Sequence, residues 1–446
     1  PSTGGVLMLG NHISFLDWAI LQIASPRPIR FVMERSIYEK WYLKWFLKRL
    51  NMIAISRGGA KAAIKDVQAS LKAGDVIAIF PEGYLSRNGQ LGAFHSGFER
   101  MIEETDAVIL PFYLQGLWGS SSPHAAEGLK QRHGRNNKAI QIHFGKPLKG
   151  GTTANSLKQT ITTLSTQAWS EYINTLNPIA YEWLRAAKRS GSGLCVTDSS
   201  GVELNFDKAI AVTYHLSRQL ARPLSSETNV GLLLPTMSSS CLTNMAVLCL
   251  GKTLVNLNYT ADTSALTHAI ENAKINTIIT SRLFCKILER KKVDVSRLLE
   301  NKNIIYLEDL KKKTNPIVFS WRYLVTKALP YSILKHIVID RHDKDSAAAI
   351  LFSSGSEGTP KGVMLSHHNI LSNAKQIACV FNIETNDAVL NSLPLFHAFG
   401  LTVSTIMPLI EGIPLVCHSD PTDAVNIGKL CYRYKATVMC ATATFL

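Results

Sequence analysis

The sequence predicts an α/β protein with two domains, each built around a largely buried sheet. Short, fully apolar runs such as 6–9 and 76–80 alternate with longer amphipathic stretches and with turns rich in glycine and proline. Strands without apolar/polar alternation are typical of sheets that are covered on both faces by helices. The length of 446 residues also exceeds what one hydrophobic core usually serves, which favours more than one domain.

The elements alternate along both predicted domains, which we place at 1–175 and 201–446, with a linker region at 176–200 around the polar stretch Arg189–Gly193. In the first domain the predicted strands are 6–9, 29–33, 53–55, 76–80, 108–112 and 139–144, and the helical patterns are 14–23, 36–50, 60–73 and 155–189. In the second, the predicted strands are 230–234, 253–257, 276–280, 347–352, 362–365, 389–393 and 413–417, and the helices are 207–221, 238–250, 263–273, 282–290, 367–380 and 400–410.

Composition narrows the possible partners. Apolar residues make up 46% and charged residues 18%, which is typical of a globular protein, and the formal net charge is +15. That charge suits an anionic membrane face, phosphate-bearing substrates or an acidic carrier protein. Without zinc-finger spacing or an arginine-rich tail we expect no nucleic-acid partner. The eight cysteines form no CxxC pair, which predicts a reduced, cytosolic chain.

Targeting signals are not visible in the sequence. No apolar run is long enough for an obvious transmembrane helix, and no signal peptide is present. The chain begins at Pro1 without a methionine, so we expect its true N-terminus, with any targeting or membrane segment, to lie upstream.

The first candidate site is the stretch Asn11–Asp17, which directly follows a predicted strand. A histidine and a carboxylate five residues apart can form an imidazole base oriented by an acid, provided that His12 lies in the loop and Ser14 begins the helix. The alternative is that Ser14 and Asp17 are simply a variant of the helix capping box.

Two further strand ends support catalysis. Phe80-Pro81-Glu82-Gly83 closes one apolar strand, and Arg57 follows another. Sites in α/β sheets lie at such strand ends, and arginine suits bidentate phosphate binding. A third apolar strand, 108–112, carries Pro111 near its end.

These four blocks, in this order, resemble the glycerolipid acyltransferase family over 1–150. The resemblance implies transfer of an acyl group from a thioester to a glycerol hydroxyl without an acyl-enzyme and without a cofactor. His12 is then the base and Asp17 its partner, and Asn11, Arg57, Glu82 and Gly83 bind the glycerophosphate acceptor. The family commonly has an arginine soon after the Phe-Pro-Glu-Gly block, whereas Tyr84 and Leu85 follow here. The nearest cation is Arg87, which we add as a candidate acceptor-binding residue.

The helix predicted at 36–50 has two interpretations. Lys40, Lys44 and Lys48 share one stripe, next to aromatic residues that include Trp41 and Trp45. This pattern suits a helix at the surface of an anionic membrane, but it also suits an ordinary amphipathic helix over the core.

The second candidate site is a loop of small residues and hydroxyls after the strand 347–352. Such a loop exposes backbone N–H groups that wrap phosphates, but it lacks the pattern of a Walker A motif. It resembles the phosphate-binding loop of the adenylate-forming (AMP-binding) superfamily, and the likeness spans 201–446. The resemblance implies ATP and Mg²⁺ as cofactors, with no metal ligands assigned in this chain, and ATP-binding residues Ser353, Ser354, Gly355, Ser356, Gly358, Thr359, Lys361 and Gly362.

The segment Pro394–Gly400 resembles that superfamily's next motif. The resemblance places Phe396, His397, Phe399 and Gly400 around the acyl and adenylate pocket. The later adenine, ribose and C-terminal lysine motifs are missing before residue 446, so we expect this domain to be incomplete and unable to finish adenylation.

An acyltransferase followed by an acid-activating module resembles the bifunctional acyltransferase/acyl-[acyl-carrier-protein] synthetases of Gram-negative bacteria. This implies acyl carrier protein, fatty acid and a lysophospholipid, 2-acylglycerophosphoethanolamine, as partners at the cytoplasmic face of the inner membrane. The chain is then peripheral, or integral if a missing segment spans the membrane. Two alternatives stay open: an acyltransferase for 1-acylglycerol 3-phosphate with a non-catalytic ligase-like half, and an acyl ligase whose N-terminal half only binds membrane.

Overall fold

The computed structural model describes residues 1–56, 60–128, 130, 140–291, 293–353 and 360–441. The chain divides into two compact units. The first contains Pro1–Asn174 and Cys379–Thr385, and the second contains Thr175–Ala378 and Asn386–Leu446. Both units are layered α/β structures, as the alternating pattern of the sequence predicts.

The first unit is organised around a six-stranded sheet with the order β3-β2-β4-β1-β5-β6. Its strands are β1 (Val6–Gly10), β2 (Ile29–Glu34), β3 (Ile53–Ile55), β4 (Val76–Ile79), β5 (Val108–Gln115) and β6 (Gln141–Phe144). All pairs are parallel except β5 with β6, which is antiparallel. Every residue of β1 is buried, so this strand is the centre of the unit.

Helices cover both faces of this sheet. They are α1 (Asp17–Ala24), α2 (Arg35–Tyr38), α3 (Trp41–Arg49), α4 (Ala60–Lys72), α5 (Gly97–Ile102) and α6 (Ala154–Asn174). Alternate residues of β1 point to opposite faces, so Val6 and Met8 belong to one apolar cluster and Leu7 and Leu9 to another. A sheet buried in this way has its polar chemistry at the strand ends.

The second unit contains two sheets, ordered β12-β11-β9-β10-β13-β14 and β17-β15-β16-β7-β8. Their strands are β7 (Leu194–Asp198), β8 (Glu203–Asn205), β9 (Asn229–Leu233), β10 (Thr253–Asn256), β11 (Thr277–Thr280), β12 (Asn303–Tyr306), β13 (Ala347–Ser353), β14 (Lys361–Ser366), β15 (Val389–Asn391), β16 (Leu415–Cys417) and β17 (Val438–Met439). Each sheet is parallel apart from one antiparallel edge strand, β14 or β8.

Side-chain caps begin many helices of the second unit, for example at Asn205, Asp262, Ser281, Asn315 and Asp423. The helices are α7 (Ile179–Ser190), α8 (Phe206–Leu220), α9 (Ser238–Cys249), α10 (Thr263–Asn272), α11 (Arg282–Arg290), α12 (Val295–Leu299), α13 (Leu307–Lys312), α14 (Pro316–Ala328), α15 (Tyr331–Val338), α16 (His367–Phe381), α17 (Ala398–Leu401), α18 (Met407–Glu411) and α19 (Ala424–Tyr434). A π-helical turn, Thr402–Ile406, joins α17 to α18.

Residues 176–200, which we expected to form a linker, are instead packed structure. They contain α7 and β7, and the side chain of Trp183 is fully buried. Of the polar stretch Arg189–Gly193, the first two residues end α7 and only 191–193 form the tight turn to β7. The glycine and serine residues correctly indicate a turn, but the apolar face of α7 packs the residues before that turn into the protein.

Two predicted helices of the first unit also differ in their limits. The first helix begins at Asp17, not at Ser14, and the stretch 36–50 forms two helices, α2 and α3. Within the described residues, no helix combines the length and the apolar character that a membrane span requires.

Candidate active site

Two loops of the first unit meet at the carboxyl edge of its sheet. β1 and β4 are parallel neighbours, with Leu9 opposite Ile79, so the loops that follow them are adjacent. The backbone N–H of His12 donates to Oε1 of Glu82 at 3.1 Å, and the N–H of Ser86 donates to the carbonyl oxygen of His12 at 2.8 Å. The histidine and the Phe-Pro-Glu-Gly block, about 70 residues apart in sequence, therefore form one site.

The imidazole of His12 is paired with the carboxylate of Asp17. Nδ1 of His12 lies 2.7 Å from Oδ2 of Asp17, which is fully buried. The same carboxylate accepts the backbone N–H of Ile13 at 2.7 Å and that of Ser14 at 3.1 Å. These donors compensate the buried charge and fix the loop, so Asp17 can orient the ring.

The capping role that we considered for Ser14 is not what the structure shows. Helix α1 has Leu16 at its N-cap position, without a side-chain capping bond. The hydroxyl of Ser14 donates to the carbonyl of Ser121 at 2.9 Å, and its oxygen accepts the N–H of Leu16 at 3.2 Å. The carboxylate of Asp17, at the first position of the helix, organises the loop by bonding back to it.

The other edge of the His12 ring has no hydrogen-bond partner among the described residues. The ring stacks on Phe80 with a centroid distance of 4.0 Å and an interplanar angle of 9°, and the side chain is 23% exposed. Nε2 makes no hydrogen bond to any described residue. When Nδ1–H donates to Asp17, Nε2 carries the free lone pair, which is the arrangement that a general base requires.

Phe112 and Gly10 support the stacked rings of His12 and Phe80. The ring of Phe112 meets Phe80 edge to face at 6.1 Å. A Cβ atom on Gly10 would overlap the ring of Phe112, so only glycine fits at this point of β1. Sequence reasoning did not find this packing role of Gly10.

Glu82, which we expected to bind the acceptor, is fully buried beneath the loops. Besides the bond from His12, its Oε2 accepts the N–H of Gly92 at 2.8 Å. Burial raises the pKa of Glu82, and the bonds from Gly92 and His12 oppose that rise. Glu82 is therefore a positioning residue, and Gly83, with a φ of +72°, forms the exposed turn beside it.

Asn11 was also predicted to bind substrate, and the structure gives it another role. Its Nδ2 donates to the carbonyl of Leu114 at 2.9 Å, and its Oδ1 accepts the N–H of Leu114 at 2.7 Å. The side chain is 1% exposed. Asn11 thus joins the end of β1 to β5 and holds the start of the loop that carries His12.

Two arginines, Arg57 and Arg87, are predicted to bind the acceptor's phosphate. Arg57 lies outside the described residues. Arg87 is exposed on the loop that follows Glu82, and it forms no ion pair with a described residue. Its guanidinium is therefore available to an anionic ligand.

The second predicted site is described only at its two ends. Ser353 and Lys361 face each other across the antiparallel pair of β13 and β14, and both are exposed, as is Gly362. Ser354, Gly355, Ser356, Gly358 and Thr359 lie outside the described residues. An ammonium and a hydroxyl at the mouth of a small-residue hairpin fit a phosphate group.

A cavity of about 360 Å³ in the second unit includes part of the predicted acyl pocket. It is lined by Leu365, Asn369, Ile370, Asn373, His397, Ala398, Phe399, Thr402 and Val403. Nδ1 of His397 also accepts the N–H of Phe399 at 3.3 Å, which caps α17.

Phe396 and Gly400, predicted to border the same pocket, are not among the residues that line this cavity. Phe396 packs edge to face against Tyr259 at 5.0 Å. Gly400 is buried where a Cβ atom would overlap the carbonyl of Pro394. No cluster of three or more potential metal ligands occurs in the part of the chain that the structure describes.

Comparison with protein families agrees with the two kinds of domain that the sequence predicts. A family model described as "AMP-binding enzyme" matches residues 185–446, which is more than half of the chain. The chain belongs to the AMP-binding enzyme family. A second model, "Acyltransferase", matches residues 1–115, so this AMP-binding enzyme carries an acyltransferase domain at its N-terminal end.

Individual relatives cover one domain or the other. The Medium-chain fatty-acid–CoA ligase of Escherichia coli (strain K12) is 25% identical over 240 residues, covering 52% of this chain and 41% of that protein. The 1-acyl-sn-glycerol-3-phosphate acyltransferase LPAT1, chloroplastic, of Arabidopsis thaliana is 28% identical over 145 residues, covering 32% of this chain and 39% of that protein.

This AMP-binding enzyme therefore spans well under half the length of both relatives. Among solved structures, the inhibitor-bound N-terminal domain of FACL13 from Mycobacterium tuberculosis aligns with a TM-score of 0.49 and 17% identity, covering 60% of this chain and 64% of that one.

Proposed function

We propose that the N-terminal domain transfers an acyl group from an acyl-carrier-protein thioester to the glycerol hydroxyl of a lysophospholipid, with His12 as general base. The observation that carries the proposal is the orientation of His12. Its Nδ1 is held 2.7 Å from the buried Asp17, and its Nε2 has no bond to a described residue.

In the proposed reaction Nε2 of His12 moves the proton, while Nδ1 stays bonded to Asp17. Nε2 of His12 takes the proton of the acceptor hydroxyl while the oxygen attacks the thioester carbonyl, which forms the new C–O bond. The resulting imidazolium is stabilised by Asp17. When the C–S bond breaks, the imidazolium returns the proton to the thiolate, so the products are the ester and the free thiol.

The acceptor that we favour is 2-acylglycerophosphoethanolamine. Arg87, exposed and free of ion pairs with described residues, supports binding of its phosphate, and we assign the same role to Arg57. A 1-acylglycerol 3-phosphate acceptor is the second candidate, because the similar Arabidopsis protein is named for that substrate. The phosphate is common to both, so the distinction rests on the head group.

We assign the acyl supply to the AMP-binding domain in the full protein. The family implies use of ATP, usually with Mg²⁺. When bound, ATP would convert a fatty acid to its acyl-adenylate. Ser353, Lys361 and Gly362 hold the phosphates, and the cavity beside His397 and Phe399 takes part of the acyl chain. A volume of about 360 Å³ is within the usual range for small-ligand pockets.

We place the chain at the cytoplasmic face of the inner membrane, and helix α3 supports this. Leu47 packs into the core, whereas Trp41 is 87% exposed and Trp45 is 73% exposed. The exposed Lys44 and Lys48 lie on the same helix. An ordinary core-covering helix would bury its aromatic residues, whereas exposed tryptophans beside lysines suit an anionic lipid surface.

The deciding experiment supplies pre-made acyl-acyl-carrier-protein and lysophosphatidylethanolamine to the full chain without ATP. We expect diacyl product from the parent and no product above background from His12→Ala. His124→Ala, which changes an exposed histidine of the same unit, is the matched control. Equal transfer by His12→Ala would refute the mechanism. No transfer by the parent would refute the acyltransferase proposal and favour the alternative of an acyl ligase whose N-terminal half only binds membrane.

Head-group preference separates the two acceptor candidates. In the same assay, faster transfer to lysophosphatidate than to lysophosphatidylethanolamine would favour the second candidate. Separately, an ATP–pyrophosphate exchange signal from this chain would contradict our expectation that its AMP-binding domain cannot finish adenylation.

A further inference from the structure

Helix α14 of the second unit carries an apolar stripe that faces away from the protein. Ile317 is 79% exposed, Trp321 is 66% exposed and Leu324 is 57% exposed. At 100° per residue these three positions fall within an arc of about 60°. Scattered exposed apolar residues are ordinary, but three large ones on one stripe mark a contact surface.

The opposite side of α14 is fixed to the protein. Thr326 is buried, and Phe319 packs edge to face against His215 of α8 at 5.5 Å. Arg322 Nη1 lies 3.1 Å from Nδ1 of the same histidine. The inner face is therefore well packed, and the outward stripe does not result from a loosely attached helix.

The next helix extends this surface. Ile333 of α15 is 49% exposed, while Leu334 and Val338 of the same helix are buried. Two consecutive helices thus bury one face and leave apolar side chains on the other.

Along the sequence of α14, α15 and the segment before them, the charged residues are all basic. Lys311, Lys312 and Lys313 precede α14 and are exposed, and Lys327 and Lys335 follow the stripe. No aspartate or glutamate occurs between Asp309 and Asp340. A surface of this kind attracts anions and repels a basic partner.

We propose that α14 and α15 form a lipid-docking surface that lies on an anionic bilayer. An apolar stripe with tryptophan, flanked by lysines, suits burial at the boundary between head groups and acyl chains. An acidic protein would also meet the lysines, but it would have to cover Ile317, Trp321 and Leu324 with apolar groups of its own. This surface is independent of α3, and it adds a second membrane contact to the proposed function.

The test is flotation of the full chain with vesicles of phosphatidylethanolamine and phosphatidylglycerol. We expect the triple variant Ile317→Ser/Trp321→Ser/Leu324→Ser to bind on the order of tenfold more weakly than the parent, because it loses buried apolar area. The control Val425→Ser/Tyr432→Ser removes two exposed apolar side chains elsewhere in the same unit and should bind like the parent.

Two measurements keep the result interpretable. Circular dichroism and thermal unfolding of the triple variant should match the parent, because the changed residues face solvent. In the parent, lipid brominated in the acyl chains should quench more tryptophan fluorescence than in Trp321→Phe. Equal vesicle binding by parent and triple variant, or equal quenching in both proteins, would overturn the proposal.

A carrier-protein partner is the competing outcome. If the triple variant loses binding to purified acyl carrier protein but keeps vesicle binding, the lipid assignment is wrong. Failure of the catalytic proposal gives a different result, because His12→Ala should float with vesicles like the parent. The triple variant should in turn retain acyl transfer to lysolipid dispersed in detergent.

Discussion

The buried carboxylate of Glu82 accepts the backbone N–H of His12 at 3.1 Å and the N–H of Gly92 at 2.8 Å. One side chain therefore ties the loop that carries His12 to the loop after β4. The position of the base depends on a residue that has no exposed surface of its own.

Replacing Glu82 by glutamine should reduce catalysis more than stability. Glutamine can accept one of the two N–H groups, but its amide NH₂ then faces the other donor. We expect acyl transfer to fall on the order of 10- to 100-fold, because small displacements of a base are costly, while unfolding free energy falls by about 1–3 kcal/mol. Steady-state rates and urea denaturation measure the two effects. Glu103→Gln, on the exposed surface, should change neither, and a fully active Glu82→Gln would contradict the positioning role.

Asp17→Asn should lose most of the activity. The amide cannot stabilise the imidazolium as a carboxylate does. Its NH₂ group also cannot accept the N–H groups of Ile13 and Ser14. By analogy with carboxylate–imidazole pairs in hydrolases, kcat should drop on the order of 10²- to 10⁴-fold. Asp66→Asn on α4 is the exposed control. Retention of wild-type kcat by Asp17→Asn would show that the pair is only structural.

Gly10→Ala should destabilise the first unit. The added methyl group overlaps the ring of Phe112, which supports Phe80 and through it the ring of His12. Overpacking of this kind costs about 1–3 kcal/mol. Gly97→Ala is a strict control, because a Cβ atom there meets nothing within 4 Å. Equal denaturation midpoints for the two variants would show that the ring of Phe112 accommodates the added methyl group without loss of stability.

The second unit should lose stability on acidification through His367. Burial lowers the pKa of this histidine from 6.5 to about 3, and His342, whose ring lies 4.8 Å away, contributes. Between these values the unfolded chain binds a proton that the folded chain does not, so stability is highest above pH 6.5 and falls as the pH is lowered. The slope is up to about 1.4 kcal/mol per pH unit.

His367→Asn should flatten this pH dependence, because the amide oxygen can still accept the N–H of Ile179 that Nδ1 of His367 accepts at 3.3 Å. The measurement is urea denaturation of parent and variant across that range. His336→Gln changes an exposed histidine and should leave the slope as it is. A variant as acid-sensitive as the parent would exclude His367 as the source.

The sequence predicted the fold class and the pairing of His12 with Asp17, because both depend on local patterns. Apolar runs and their turns are visible over a few residues, and the two groups of the pair are five residues apart. The roles of Asn11 and Glu82 were missed because each depends on a backbone group far along the chain, at Leu114 and at His12. A motif shows that a residue type is required, not which atom it contacts.

The linker prediction failed for a related reason. Arg189–Gly193 has the composition of a flexible segment, but Trp183 and its neighbours on α7 bury their side chains in the second unit. Composition describes the turn correctly and says nothing of the helix packed beside it. The phosphate-binding assignments at Arg57 and over Ser354–Thr359 stay predictions.

The contacts that hold His12 come from Asp17, Glu82 and Ser86, while Arg87, the group we assign to the acceptor's phosphate, takes no part in them. Fixing the base and choosing the substrate are thus separate tasks carried out by separate residues. In our proposal, a change at position 87 should therefore weaken binding of the acceptor's phosphate without disturbing proton transfer by His12. If both assignments hold, acceptor affinity and the position of the base can change independently of each other.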